Sequence, residues 1–226
     1  MKRYVIIVAG GTGTRMQSFM PKQFLDLCGK PILMRSINTF VSTISQINVI
    51  VVLPESHINL WKALCKKYNF NIPHKICSGG ETRFHSVKNG LSQINEAGVV
   101  AIHDAVRPLV SAKVILRCFK EADKYGCAIP VVPIKDTLRF IVKNKSYTQK
   151  RDNYKTVQTP QCFRVDIIKK AYSNSEYNEM YTDDASVVEK QGFKVRLVEG
   201  NDENIKITTP LDLIVAEAIK NHQSKK

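Results

Sequence analysis

The run Tyr4-Val5-Ile6-Ile7-Val8-Ala9-Gly10-Gly11-Thr12-Gly13-Thr14-Arg15-Met16 decides the fold. Its first five residues are apolar and rich in β-branched side chains, which predicts a strand covered on both faces, as in a parallel sheet. The apolar stretch is short and runs into a glycine-rich turn, so it reads as a buried first strand and not as a secretory leader. The glycines let backbone N–H groups approach an anion closely, and any helix that followed would add its positive end. Two familiar phosphate loops do not fit. A Walker loop needs a Lys after its last glycine, and none stands in register. A dinucleotide fingerprint needs a glycine three residues after Gly13, where Met16 stands. What remains is Gly-Gly-x-Gly-x-Arg, with Lys22 in Pro21-Lys22-Gln23 seven residues beyond Arg15. Two cations beside a glycine cradle suit a polyphosphate; the alternative is a plain strand-to-helix turn.

Working outward, residues 48–53, 99–102 and 128–132 repeat the strand signature. Helical spacing lies between them. Ile37, Phe40, Val41 and Ile44 mark one helix, and Trp61, Leu64, Cys65 and Tyr68 a second with Ser56 as N-cap. Phe84, Val87, Leu91 and Ile94 mark a third. Ile115, Cys118, Phe119 and Ala122 mark a fourth, capped by Ser111 and closed by Gly126. This alternation predicts a mostly parallel sheet with helices on both sides. The rhythm breaks after Pro133: 136–142 and 154–157 read as strands around a polar stretch, 143–153. Order then resumes with helices over 165–172 and 184–190, a strand over 193–198, and a last helix opened by Pro210. The expectation is a single domain over 1–226 with an arm insertion at about 136–157.

The 226 residues carry a net charge of +14, and 43% are hydrophobic, enough for one sizeable core. Such a charge points to nucleic acid, an anionic membrane surface or small anionic ligands. The basic residues are dispersed, which makes small anions at least as good a partner, and no stretch reaches the roughly 20 apolar residues of a membrane span. Six cysteines form no C-x-x-C and no zinc pattern, so they read as reduced, mostly buried thiols of a cytoplasmic protein.

Four more segments carry candidate chemistry. His103-Asp104-Ala105-Val106-Arg107-Pro108 follows a predicted strand, where open α/β sheets bind ligands; Asp104 can hold Mg²⁺ and Arg107 can pair with phosphate. The alternative is a helix-capping Asp and a surface Arg, while His103 reads as a packed residue. Asn201-Asp202-Glu203-Asn204-Ile205-Lys206-Ile207-Thr208 offers a second carboxylate and a cation. Ser78-Gly79-Gly80-Glu81-Thr82-Arg83-Phe84-His85-Ser86 is another glycine turn opening into a helix, able to read a base edge. The polar hairpin adds Asp136, Thr137, Lys150 and Arg151.

These segments in this order resemble the 2-C-methyl-D-erythritol 4-phosphate cytidylyltransferases, the CTP-using enzymes of the non-mevalonate isoprenoid pathway. The likeness runs from about Tyr4 to Ile219 and includes Asp136-Thr137, Thr159-Pro160-Gln161 and Thr182-Asp183-Asp184-Ala185-Ser186. The resemblance implies a Rossmann-like α/β nucleotidyltransferase domain with a β-arm used for dimerisation. It implies that Ala9, Gly10, Gly11, Gly13, Thr14, Arg15 and Lys22 hold the CTP phosphates, with Arg15 and Lys22 stabilising the transition state. Gly79, Gly80 and Ser86 would contact cytosine beside Arg83. Asp104 would lie at the ribose and, with Asp202, at Mg²⁺. Thr137, Arg151, Lys206, Arg107 and Thr182 would bind the polyol phosphate, with Asp202 facing the methylerythritol. Arg151 and Lys206 also count as catalytic, Lys206 touches CTP, and Arg151 would complete the neighbouring subunit's site. A homodimer without nucleic-acid or membrane partners is implied. The ribitol-5-phosphate cytidylyltransferases share several of these segments and are the nearer alternative; a non-catalytic nucleotide- or RNA-binding module is the more distant one.

Overall fold

A computed structural model describes residues 1–11 and 20–223. Gly13, Thr14 and Arg15 lie outside the described residues. The elements follow in order as β1 (Lys2–Val8), β2 (Asp26–Leu27), β3 (Lys30–Pro31), α1 (Ile32–Thr43), β4 (Asn48–Leu53), α2 (Glu55–Lys67), β5 (Lys75–Ser78), α3 (Arg83–Ser92), β6 (Gly98–Asp104), α4 (Ala112–Tyr125) and β7 (Cys127–Pro133). Then come β8 (Leu138–Val142), β9 (Lys145–Gln149), β10 (Lys155–Val157), β11 (Gln161–Arg164), α5 (Val165–Ser173), α6 (Asp184–Lys190), β12 (Arg196–Glu199) and α7 (Pro210–Gln223).

The main sheet runs β7-β11-β6-β1-β4-β5, with β10 and β12 also on β7. The pairs β1–β6, β1–β4, β4–β5 and β12–β7 are parallel. Antiparallel β11 inserts between β6 and β7. Side chains on one strand point alternately to opposite faces, and the core divides accordingly. Val5 and Ile7 of β1, Val49 and Val51 of β4, and Val99 and Ala101 of β6 pack with α1, Trp61 of α2 and α4. Tyr4, Ile6, Ile50, Val52, Val100 and Ile102 face the other way, onto α3, α5 and α6. The continuous apolar runs in the sequence are therefore strands buried on both faces. At Gly90 of α3 an added Cβ would lie 2.8 Å from the Ile6 Cγ2, so that helix approaches the sheet more closely than a larger residue permits.

Several local expectations are revised. Pro54, not Ser56, occupies the N-cap position of α2, and Ser56 lies inside the helix. The arm hairpin pairs β8 with β9, joined by Lys143 and Asn144, both at positive φ. That left-handed pair is the geometry that closes a two-residue hairpin without splaying its strands. Residues 155–157 instead pair with β7. The last predicted strand begins only at Arg196. Strands β2, β3, β5 and β11 had no expectation, and β9 lies in the stretch read only as polar. Three of the six free cysteines are buried, two are partly covered and Cys28 is exposed. Among the described residues no helix is long and apolar enough to cross a membrane.

Candidate active site

The chain passes from β1 to β4 and β5 on one side, then returns to β6 on the other. The carboxyl ends of β1 and β6 thus flank a topological switch point, where open α/β sheets leave a crevice for ligands. Three loops leave that edge, each anchored by one further backbone bond: Ala9 N–H to the Val52 carbonyl (2.9 Å), Gly79 N–H to Leu53 (2.7 Å) and Ala105 N–H to Val8 (3.0 Å). They form a cleft of about 210 Å³ lined by Ala9, Gly10, Gly11, Lys22, Gln23, Gly80, Glu81, Thr82, Arg83, Ser86, Asp104, Val106 and Lys206, among others.

Lys22 stands in a short 3-10 turn (Lys22–Phe24), and its Cε lies 3.2 Å from where a Cβ on Gly11 would sit. Gln23 beneath it is buried and donates to the Ala9 carbonyl (2.9 Å), tying this turn to the glycine loop. The first α-helix among the described residues beyond that loop begins at Ile32.

Two glycines on the opposite wall leave little room for a side chain. A Cβ on Gly79 would approach the Ser86 Oγ to 3.0 Å, and one on Gly80 would meet the His85 Cβ at 2.4 Å. Gly80 N–H donates to the Ser86 Oγ (3.1 Å), which fixes that hydroxyl at the cleft. Thr82 caps α3, its side chain accepting from His85 N–H.

Asp104 ends β6, 8% exposed, with three cations around it: Lys206 Nζ at 2.8 Å, Arg83 Nε at 3.5 Å and Arg107 Nε at 3.7 Å. Burial alone would raise its pKa; Arg83, Lys206 and Arg107 outweigh burial and hold the carboxyl well below the usual carboxylate range. Burial likewise opposes the charge on Arg83, but Asp184 and Asp104 more than offset it and raise its pKa.

Beneath Asp104 lies a chain of bonds that fixes proton positions. Asp104 N–H donates to the Thr159 Oγ1 (3.1 Å), and the Thr159 hydroxyl donates to His103 Nδ1 (3.0 Å), because the other ring nitrogen faces a carbonyl that can only accept and so carries the proton of the neutral ring. His103 Nε2–H then donates to the Arg107 carbonyl (3.1 Å). His103 is fully buried, and burial pushes its pKa down to about 4. It is the packed histidine that the sequence reading favoured. Arg107 turns inward: its Nη1 donates to the Asn204 carbonyl (2.8 Å), while Asn204 Nδ2 donates to the Thr159 carbonyl (2.8 Å). These ties place Lys206, two residues on, at the cleft.

The fold brings nine expected residues together in the cleft: Ala9, Gly10, Gly11, Lys22, Gly80, Arg83, Ser86, Asp104 and Lys206. Gly79 lies directly behind Ser86. Thr137, Arg151, Thr182 and Asp202 are exposed and do not line it. Asp202 pairs with Lys135 (2.6 Å), and Arg151 donates to the Lys135 carbonyl (2.6 Å), so both gather at the root of the arm. Glu81, Thr82 and Gln23 line the cleft without having been singled out, although Thr82 stands where a helix-capping residue is expected.

Comparison with known proteins gives one answer. A family profile for 2-C-methyl-D-erythritol 4-phosphate cytidylyltransferase matches residues 4–222. The protein of that name from Bacteroides fragilis is 52% identical over 219 residues, covering 97% of this chain and 100% of the relative. Its namesake from Phocaeicola vulgatus is equally similar, at 52% identity over the same shares. Among solved structures, the Francisella tularensis protein of that name is 33% identical at a TM-score of 0.80, covering 96% of this chain and 99% of its own. The 4-diphosphocytidyl-2C-methyl-D-erythritol synthase from Anaerococcus prevotii is 28% identical at a TM-score of 0.82, covering 97% and 98%. This chain belongs to the 2-C-methyl-D-erythritol 4-phosphate cytidylyltransferase family.

Proposed function

We propose that this enzyme transfers CMP from CTP to 2-C-methyl-D-erythritol 4-phosphate, releasing pyrophosphate in the synthesis of isoprenoid precursors. The carrying observation is the switch-point cleft, where a glycine loop, Lys22, Lys206 and Asp104 meet a polar wall built from Gly80 and Ser86. A phosphate oxygen of the polyol phosphate attacks the α-phosphorus of CTP. The bond from the α-phosphorus to the bridging oxygen breaks, and pyrophosphate leaves. A phosphate monoester has a second pKa of about 6, so the nucleophile is largely dianionic at pH 7 and needs no general base. Catalysis is then positioning plus stabilisation of charge on the leaving group. Lys22, Lys206 and Arg15 supply that charge, the backbone at Gly10 and Gly11 approaches the phosphates, and Gly80 and Ser86 read the base.

Among the described residues no cluster of three or more His, Cys, Asp or Glu is placed to hold a metal. Asp104 fits Mg²⁺ nonetheless, because that ion is commonly held by one or two carboxylates together with substrate phosphates, and this carboxylate faces the cleft. When bound, Mg²⁺ would neutralise phosphate charge. Asp202 is exposed, pairs with Lys135 at the arm root and is not among the residues lining the cleft, so the metal site proposed here rests on Asp104.

The arm is the proposed homodimer contact. An isolated two-stranded hairpin is marginal in water, yet β8 and β9 expose Phe140, Ile141, Val142 and Tyr147. A partner that covers them would bring Thr137 and Arg151 to a neighbouring site. The test of function is pyrophosphate release from CTP with 2-C-methyl-D-erythritol 4-phosphate and, separately, with ribitol 5-phosphate. Release with the first is expected; release with ribitol 5-phosphate alone, or with neither, would overturn the proposal.

A further inference from the structure

Behind the cleft lies a carboxylate that the mechanism does not use. Asp184 is fully buried at the start of α6, and it grips Arg83 with both oxygens: Nη1 to Oδ1 at 2.9 Å and Nη2 to Oδ2 at 2.6 Å. The Tyr172 hydroxyl also donates to Oδ1 (2.7 Å). The same turn is held from the sheet. Gln161 Oε1 accepts from the N–H groups of Asp184 (3.0 Å) and Ala185 (2.9 Å), and its Nε2 donates to Asp183 Oδ2 (2.7 Å). Asp183 in turn closes a capping box with Ser186. Gln161 opposes Ile102 on β6, two residues before Asp104, so one strand pair fixes both ends of the chain of charges.

A buried ion pair is poor evidence of stabilisation, because well-packed apolar residues often serve as well. Its geometry here has a directional consequence. A guanidinium offers donors on more than one edge. Asp184 takes the two terminal nitrogens, and the remaining Nε edge is turned to Asp104, at 3.5 Å, on the wall of the cleft. We propose that Asp184, assisted by Tyr172, is a positioning residue that clamps Arg83 in the orientation that the CTP site requires. Asp184 touches no substrate and acts through Arg83 alone. The inference rests on the reading of this cleft as the CTP site.

The experiment is a double-mutant cycle on CTP affinity by titration calorimetry with Mg²⁺, with thermal melting to monitor folding. Arg83→Met and Asp184→Asn are each expected to weaken CTP binding about tenfold or more, the scale of a lost charge-assisted contact. Tyr172→Phe should weaken it less. The pair Arg83→Met with Asp184→Leu removes both charges and should fold even if Asp184→Asn does not. Its CTP affinity should equal that of Arg83→Met alone, because a residue that acts only through Arg83 adds nothing once Arg83 is gone. Additive losses, or normal CTP affinity in a destabilised Asp184→Asn protein, would reduce Asp184 to a structural tether and overturn the proposal. Normal affinity in Arg83→Met would overturn it together with the role of Arg83. Absence of CTP binding by the unmutated protein would instead fail the functional reading itself.

Discussion

At the scale of single residues, the cleft concentrates charge where charge must be moved. The Lys22 side chain lies against Gly11, its Cε 3.2 Å from where a Cβ there would sit, and the proposed mechanism puts it at the leaving phosphates. Lys22→Ala should lower kcat by about a hundredfold or more, the usual cost of removing a preorganised stabilising group, while changing CTP affinity far less. Steady-state kinetics decides this, and an unchanged kcat would remove Lys22 from the chemistry. His103 makes a second prediction. Its imidazole is buried and neutral in the fold, with a pKa of about 4 against an ordinary value near 6.5. The unfolded chain therefore binds the extra proton between those pH values. Stability from this group is fully present above about 6.5 and falls as pH drops towards 4, by at most about 3 kcal/mol. Denaturant unfolding at several pH values should show that slope, and His103→Asn should flatten it. Two of the site's residues were legible in the sequence by type alone: an Asp at a strand's end and a Lys after a glycine loop. Asp184 was not, because a carboxylate inside a helix signature carries no mark of the arginine it meets 101 residues away.

At the scale of elements, the ends are set by local chemistry. Helix α4 begins where the Ser111 Oγ accepts from Val114 N–H (3.3 Å) and ends at Gly126, which adopts a positive φ of 94°. Both were readable, since Ser and Gly are the residues those two positions favour. Ser111→Ala should cost about 1 kcal/mol. Gly126→Ala should cost more, because a side chain at a φ of 94° is strained and its Cβ would also displace the Ile167 Cδ1, 2.6 Å away. Chemical denaturation should rank them in that order; equal or opposite effects would contradict the capping account. Other boundaries escaped the sequence. The arm's turn, Lys143-Asn144, lacks the Asn-Gly pair that announces such hairpins, although Asn tolerates the left-handed conformation. Strand β11 is four residues long and lies next to a proline, too little sequence to show a period.

At the scale of the whole molecule, two apolar layers fasten helices to both faces of one sheet, and the arm stands outside them. Phe140 and Ile141 are 56% and 71% exposed. On the proposed arm-mediated dimer, replacing both with Ser should shift the protein to monomers in light scattering and reduce turnover while leaving the melting of the main domain nearly unchanged. A variant that stays dimeric would place the subunit contact elsewhere. The sequence by itself determined the α/β class, because strands buried on both faces must be apolar at every position and helices between them must be apolar on one side. Through motifs in a fixed order it also determined the family. Tertiary structure decided the order of strands, the antiparallel insertion of β11 and the site itself. Loops from β1, β5 and β6 become one cleft only because the chain reverses its winding at β1, and periodicity, a local property, carries no record of which strand lies beside which.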